Sequence, residues 1–153
     1  MDPASLPDAH RTTVGAAQRR PAGPHGLASI DVDALELFDL VPTEDPHRWR
    51  LPVVRGVCSG MGALFGGAAL GAAVEVLERV TGRPLVWATV QYLAFARPPD
   101  VVELEALEVT RGHQSSQARV FARVDGREIF TVLAALGRRE LAWSGSWAIR
   151  PLQ

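Results

Sequence analysis

The sequence predicts an α+β domain in which one long, mostly apolar helix is wrapped by an antiparallel sheet. Three observations carry this expectation. Between about Ala63 and Thr81 the only charges are Glu75, Glu78 and Arg79, so a helix there is polar on a narrow strip and must be packed on most other sides. Everything after that helix reads as strand, in segments separated by turn residues. Strands and helices do not alternate as a doubly wound fold requires.

Each element has its own local cause. Asp31 to Phe38 has an acidic first turn and reads as a short helix, and Trp49 to Val54 reads as a strand. In the long helix Leu64, Ala68, Ala72 and Val76 form one stripe, with Leu70, Ala73, Leu77 and Val80 beside it, and Gly82 is its C-terminal stop. Leu85 to Arg97 is rich in β-branched and aromatic residues, and Pro98-Pro99-Asp100 turns the chain. Val101 to Arg111 follows, then a turn at Gly112. From Gln117 to Val124 the alternation sets Ala118, Val120, Ala122 and Val124 on one face. Asp125-Gly126 is a favoured hairpin turn and Glu128 to Leu136 closes a four-strand meander. The Trp143 to Trp147 segment is expected to add an edge strand or a cap.

With 153 residues, 47% of them hydrophobic, the chain is long enough for one domain with a substantial core, expected over residues 30 to 153. Residues 1 to 29 hold four prolines and three glycines among few large apolar side chains, which predicts a disordered N-terminal arm. Sixteen basic against seventeen acidic residues leave no electrostatic footprint for nucleic acid or an anionic membrane. A single cysteine excludes a disulfide framework and fits a reducing, cytoplasmic location. Four scattered histidines give no legible metal site. Arg19-Arg20 is not followed by an apolar region, and the uncharged stretch from Arg55 to Glu75 carries six glycines, so it reads as a Gly-rich loop entering a buried helix and not as a membrane span.

Two motifs in that loop point to chemistry and then lose their context. Gly56-Val57-Cys58-Ser59-Gly60 has the G-x-C-x-G form of a nucleophile elbow, but one helix and a single suitably placed histidine, His113, cannot build the rest of such a hydrolase. The plainer reading is a small packed thiol. Gly60-Met61-Gly62 through Gly66 resembles a dinucleotide fingerprint with one residue too many, and no acidic residue follows at the required distance. What remains is physical: glycines expose backbone N–H groups at a helix N-terminus, where the dipole favours an anion or a developing oxyanion.

Leu64-Phe65-Gly66-Gly67 opening an Ala-rich helix, then Ala88 to Pro98, then Val109-Thr110-Arg111-Gly112, Ala118-Arg119-Val120 and Asp125-Gly126-Arg127-Glu128-Ile129-Phe130 resemble the hotdog-fold acyl-CoA thioesterases. The order of elements is similar to the N-terminal half of the acyl-CoA thioesterase II type over roughly residues 50 to 139. The resemblance implies the hotdog fold, two such units packed side by side, and a thioester held at their interface. Since this chain holds one unit, it implies a homodimer or a dimer of dimers.

The type II members use an Asp on the helix, a Thr on the next strand and a Gln on a later one. Thr89 lies on the corresponding strand, no Asp occurs on this helix, and the later Gln falls near Ala135. Other hotdog thioesterases place an Asp or Glu about two turns after the helix-opening glycine, and Gly67 to Glu75 has that spacing. Glu75, Glu78 and Arg79 also read as an exposed charged strip, so Glu75 stands either as general base or as part of that strip. Thr89 and Gln91 are candidate partners on one strand face, or ordinary strand residues.

The leading expectation is a thioesterase acting on an acyl-CoA or an acyl-carrier-protein thioester. The catalytic candidates are Glu75, Thr89 and Gln91, with Gly66 and Gly67 as oxyanion hole. Phe65, Tyr92, Ser115, Ser116 and Gln117 are expected to contact substrate, and Leu85 to Phe95 to line an acyl tunnel with the helix. No metal or redox cofactor is implied, and CoA enters only as part of the substrate. Two alternatives stay open: a non-catalytic acyl-CoA-binding hotdog module, and a hotdog hydratase or dehydratase, which would need an Asp-His or Glu-His pair near the helix.

Overall fold

The computed structural model describes residues 33–138. The expected arm over residues 1 to 29 and the Trp143 to Trp147 segment lie outside them. Helix α1 spans Ala34–Phe38 and is capped by Asp33, whose carboxylate accepts the Leu35 N–H at 3.0 Å. Strands β1 (Val41–Pro42) and β2 (Arg48–Pro52) precede the long helix α2 (Gly66–Thr81). Strands β3 (Leu85–Tyr92), β4 (Val101–Arg111), β5 (Ser115–Val124) and β6 (Arg127–Gly137) follow.

The six strands form one antiparallel sheet in the order β1-β2-β4-β5-β6-β3. This corrects the simple meander: β3 pairs with β6 at the far edge and not with β4, which follows it. The cause lies in residues 93 to 100. Leu93 and Ala94 both donate to the Ile129 carbonyl, Ala96 accepts from Leu64 at 2.9 Å, and Asp100 accepts from Val53 at 2.9 Å. The ladder therefore ends at Tyr92, and the chain crosses the start of α2 to reach β2. The strand expected to continue to Arg97 is five residues shorter for that reason.

Helix α2 starts at Gly66, not Ala63, because the preceding residues are tied in an extended conformation. Leu64 bridges Cys58, and Phe65 donates to the Val57 carbonyl at 2.9 Å. Its end is as expected, with Gly82 in the left-handed region at φ 67° and its N–H on the Glu78 carbonyl. The face toward the sheet is small and apolar: Ala69, Ala72, Ala73, Val76 and Leu77 are buried against Leu104, Val120, Ala122, Phe130, Val132 and Ala134. Alternation along the strands gives the sheet this inner face and leaves an outer one. Ala118, Val120, Ala122 and Val124 all lie inside, as predicted. The Asp125-Gly126 turn closes β5 onto β6 with both residues at positive φ, 49° and 78°.

Among the described residues no helix is long and apolar enough to cross a membrane, and no group of three His, Cys, Asp or Glu side chains is placed to hold a metal ion.

Candidate active site

The site begins at the first turn of α2. Phe65 occupies the N-cap position without a side-chain cap, and the N–H groups of Gly66, Gly67 and Ala68 have no acceptor among the described residues. Aromatic rings approach both glycines closely. A Cβ on Gly66 would meet the Tyr92 ring at 2.9 Å, and one on Gly67 would meet the Phe65 ring at 2.6 Å. The Tyr92 hydroxyl donates to the Gly66 carbonyl at 2.6 Å, and burial pushes the phenol above its ordinary value of 10.0. Phe65, Gly66, Gly67 and Tyr92 thus come together at one end of the domain. Met61, Leu93 and Phe95 are exposed around the same loop and crossing segment, at 78%, 51% and 62%. The helix start leaves its first N–H groups uncapped within an apolar, aromatic surface.

Glu75 lies eight residues beyond Gly67, a rise of about 12 Å along the axis. Its side chain is 19% exposed, and Oε1 accepts from Arg79 Nε at 2.6 Å, while Arg79 also reaches Asp33 at 3.5 Å. Oε2 has no donor among the described residues and is left for water. Glu78, its neighbour on the strip, is engaged elsewhere, and its carboxylate accepts the Leu85 N–H at 2.6 Å, fastening the end of α2 to the start of β3. It is therefore a structural residue and no inert neighbour of Glu75.

Thr89 and Gln91 share the outer face of β3, opposite Leu133 and Thr131 of β6, whereas Ala88 and Val90 pack into the core toward α2. Within one chain the sheet separates Thr89 and Gln91 from Glu75. Ala88 and Val90 are partly buried against the core there, the face on which the acyl tunnel was expected.

Ser115, Ser116 and Gln117 sit at the opposite end of the domain from Gly66, since Gln117 aligns with Ala135 and Ala135 with Trp87 near the beginning of β3. Ser116 is only 1% exposed, so it belongs to the interior and not to a solvent-facing turn. It lies beside Glu108, in a polar cluster that sequence reasoning missed. Arg111 donates to Glu108 Oε2 at 2.8 Å and to the Thr81 carbonyl at the end of α2 at 2.8 Å, and Arg83 donates to the Gly112 carbonyl at 2.9 Å. Burial pushes the Glu108 carboxyl up, but Ser116, the Arg111 hydrogen bonds and the charges of Arg111 and Arg83 outweigh it and hold the group below its ordinary 4.5. Ser116 Oγ, Glu108 Oε1 and Arg83 Nη1 are buried with no partner at hydrogen-bonding geometry among the described residues. Strand parity could have found the cluster: Val102, Leu104 and Ala106 face inward, and Glu108 is next in that series.

A long helix seated on one antiparallel sheet, its glycine-opened end left bare, can be compared with known structures. A candidate thioesterase from Novosphingobium aromaticivorans superimposes with a TM-score of 0.65 at 33% identity, covering 73% of this chain and 45% of that one. The chain has the hotdog fold of thioesterases. This hotdog unit also superimposes on the tesB protein of Mycobacterium avium subspecies paratuberculosis, with a TM-score of 0.63 at 17% identity, covering 77% of this chain and 47% of that one. A hypothetical thioesterase from Streptococcus pneumoniae, solved with coenzyme A, shares the fold with a TM-score of 0.56 at 17% identity over 61% of this chain and 80% of its own. The hotdog unit spans about half the length of the first two proteins. No protein-family model and no curated protein matches its sequence.

Proposed function

We propose that this hotdog unit hydrolyses an acyl-CoA or acyl-carrier-protein thioester as a homodimer. The observation that carries the reading is the bare start of α2, where the N–H groups of Gly66 and Gly67 face no internal acceptor and can stabilise the oxyanion formed when water adds to a thioester carbonyl. The likeness to a candidate thioesterase at 33% identity and the coenzyme A held by the streptococcal protein support the choice of substrate class.

A general base must reach its water within hydrogen-bonding distance. Glu75 is about 12 Å along the helix from Gly67, too far to serve a carbonyl held there by its own chain. A two-fold pair of antiparallel helices removes the difficulty, because the Glu75 of one copy then stands near the Gly66-Gly67 turn of the other. Glu75 Oε2 takes a proton from water, the water oxygen bonds to the carbonyl carbon, the C–S bond breaks, and the proton passes to the departing thiolate. Thr89 and Gln91 stand on the outer face of the β3 edge, within reach of a copy docked there.

The Glu75–Arg79 pair favours a second reading, in which Glu75 only holds its helix strip and the unit binds acyl-CoA without cleaving it. Thiol release from a panel of acyl-CoAs separates the two. Under the hydrolytic reading wild-type protein releases thiol, and Glu75→Gln lowers the rate by about 100-fold with acyl-CoA binding retained. Glu44→Gln, on the exposed β1–β2 loop, is the matched control and stays at the wild-type rate. Binding without release in wild type would establish the non-catalytic module.

A further inference from the structure

The loop before α2 holds a cleft that the hydrolytic chemistry above does not use. It measures 460 Å³ and is lined by Arg55, Cys58, Ser59, Gly60, Gly62 and Arg97, with Pro98 at its edge. Both guanidiniums are exposed, and neither forms an ion pair with a carboxylate among the described residues. Among the described residues Arg48, Arg79, Arg111 and Arg123 are each matched to a carboxylate, whereas Arg55 and Arg97, like Arg50, Arg127 and Arg138, are not; what distinguishes Arg55 and Arg97 is that they line one cleft together. Asp100, the one carboxylate on the Arg97 turn, is occupied by the Arg97 backbone N–H at 2.8 Å. The Arg97 guanidinium lies over the Phe95 ring at 5.6 Å from its centroid. The N–H of Gly60, a lining residue, has no acceptor among the described residues, and neither has that of the adjacent Met61. Gly62 holds the loop turn at φ 71°, in the left-handed region.

Two arginines and unbonded loop amides, with no carboxylate in the lining among the described residues, make a receptor for a phosphate group. The cleft lies on the segment that leads directly into Phe65 and Gly66, since Phe65 is bonded to Val57 and Leu64 to Ala96. Met61, Phe65 and Phe95 supply exposed apolar surface around that segment. We infer that Arg55 and Arg97 bind the phosphate at the far end of a pantetheine arm whose thioester lies at the start of α2. This assignment rests on the thioester reading for the position of the reacting group. A phosphate at that place is common to CoA and to a carrier-protein prosthetic group, so the ligand series must separate them.

The experiment compares one acyl group carried on CoA, 3′-dephospho-CoA, phosphopantetheine, pantetheine and holo-carrier protein. It reads KM and kcat from thiol release, and Kd by calorimetry with the corresponding free thiols. In wild type the phosphopantetheine ester has a KM at least tenfold below that of the pantetheine ester. Arg55→Gln and Arg97→Gln each raise KM for every phosphate-bearing substrate by about tenfold, leave kcat in place and do not affect the pantetheine ester. A loss confined to CoA and absent from phosphopantetheine would place the nucleotide phosphates in the cleft and overturn the assignment; so would equal KM values for the phosphopantetheine and pantetheine esters. The two levels fail separately. Arginine-dependent binding of phosphopantetheine without thiol release removes the hydrolase and keeps the phosphate site, whereas hydrolysis indifferent to the phosphate keeps the hydrolase and removes the site.

Discussion

Glu108 is the side chain whose environment departs most from what its neighbours on β4 suggest. It continues an inward series of apolar residues, yet it is ionised there because Arg111 and Arg83 stand beside it and its pKa is held below 4.5. The consequence for stability has a definite sign. A carboxyl that is more acidic in the folded chain than in the unfolded one contributes stability above its unfolded pKa, and that contribution is lost as pH falls through the lower folded value. Urea midpoints measured from pH 6 downward are therefore expected to hold until near 4.5 and then to drop, with a shallower drop in Glu108→Gln. An equal pH slope in the two proteins would show that other carboxylates set the acid limit. Glu78 is a second such residue, since a carboxylate on the Leu85 N–H at 2.6 Å joins two elements at a place where a helical-wheel drawing shows only an exposed charge.

Helix α2 shows what an element can and cannot tell in advance. Its existence, its stop at Gly82 and its small apolar composition were legible, because Ala and Gly at most positions fit only a helix packed closely against its neighbours. The strand faces were equally legible, Ala118 to Val124 alternating as the sequence requires. The neighbour of β3 was not, because strand pairing across intervening elements leaves no mark in local periodicity. The start of α2 was misplaced by three residues because the bonds that hold Leu64 and Phe65 extended come from Ala96 and Val57, distant or non-helical partners. That Gly66 and Gly67 open the helix was readable from the Phe65-Gly66-Gly67 pattern, whereas the seating of Tyr92 against Gly66 depends on where β3 ends. The separation of Ser115 to Gln117 from these glycines was not readable, since it depends on sheet register. The close seating of α2 also makes a prediction: Ala73 is fully buried, so Ala73→Leu adds volume where no space exists. It is expected to cost about 1–3 kcal/mol in thermal or chemical unfolding, while Leu at exposed Gly67 would instead displace the Phe65 ring.

On the scale of the whole molecule the sheet has two ends of different character. At one end β1 is two residues long; at the other β3 offers an eight-residue edge with Val86 and Trp87 exposed at 60% and 50%, and Leu133 beside it at 49%. Among the described residues nothing pairs with the outer side of β3, and an edge of this length invites pairing with a second copy. Light scattering at micromolar concentration is expected to give a dimer, and Val86→Lys, which sets a charge on the edge, to give monomer with lost thiol release. A wild-type monomer that still hydrolyses thioesters would place the whole reaction within one copy. The same edge strand also has a history within each chain. Because β3 is joined to β6 and not to β4, Tyr92 must wait for Phe130 and Leu85 for Leu136, so the ribosome delivers the strand well before its one ladder partner among the described residues. Until β6 emerges, β3 is open along both sides, and the apolar residues of its inner face have no sheet to join. Closing a pair so far apart in sequence carries a loop-closure delay, and β6 is the strand whose arrival completes the surface on which a second copy could settle.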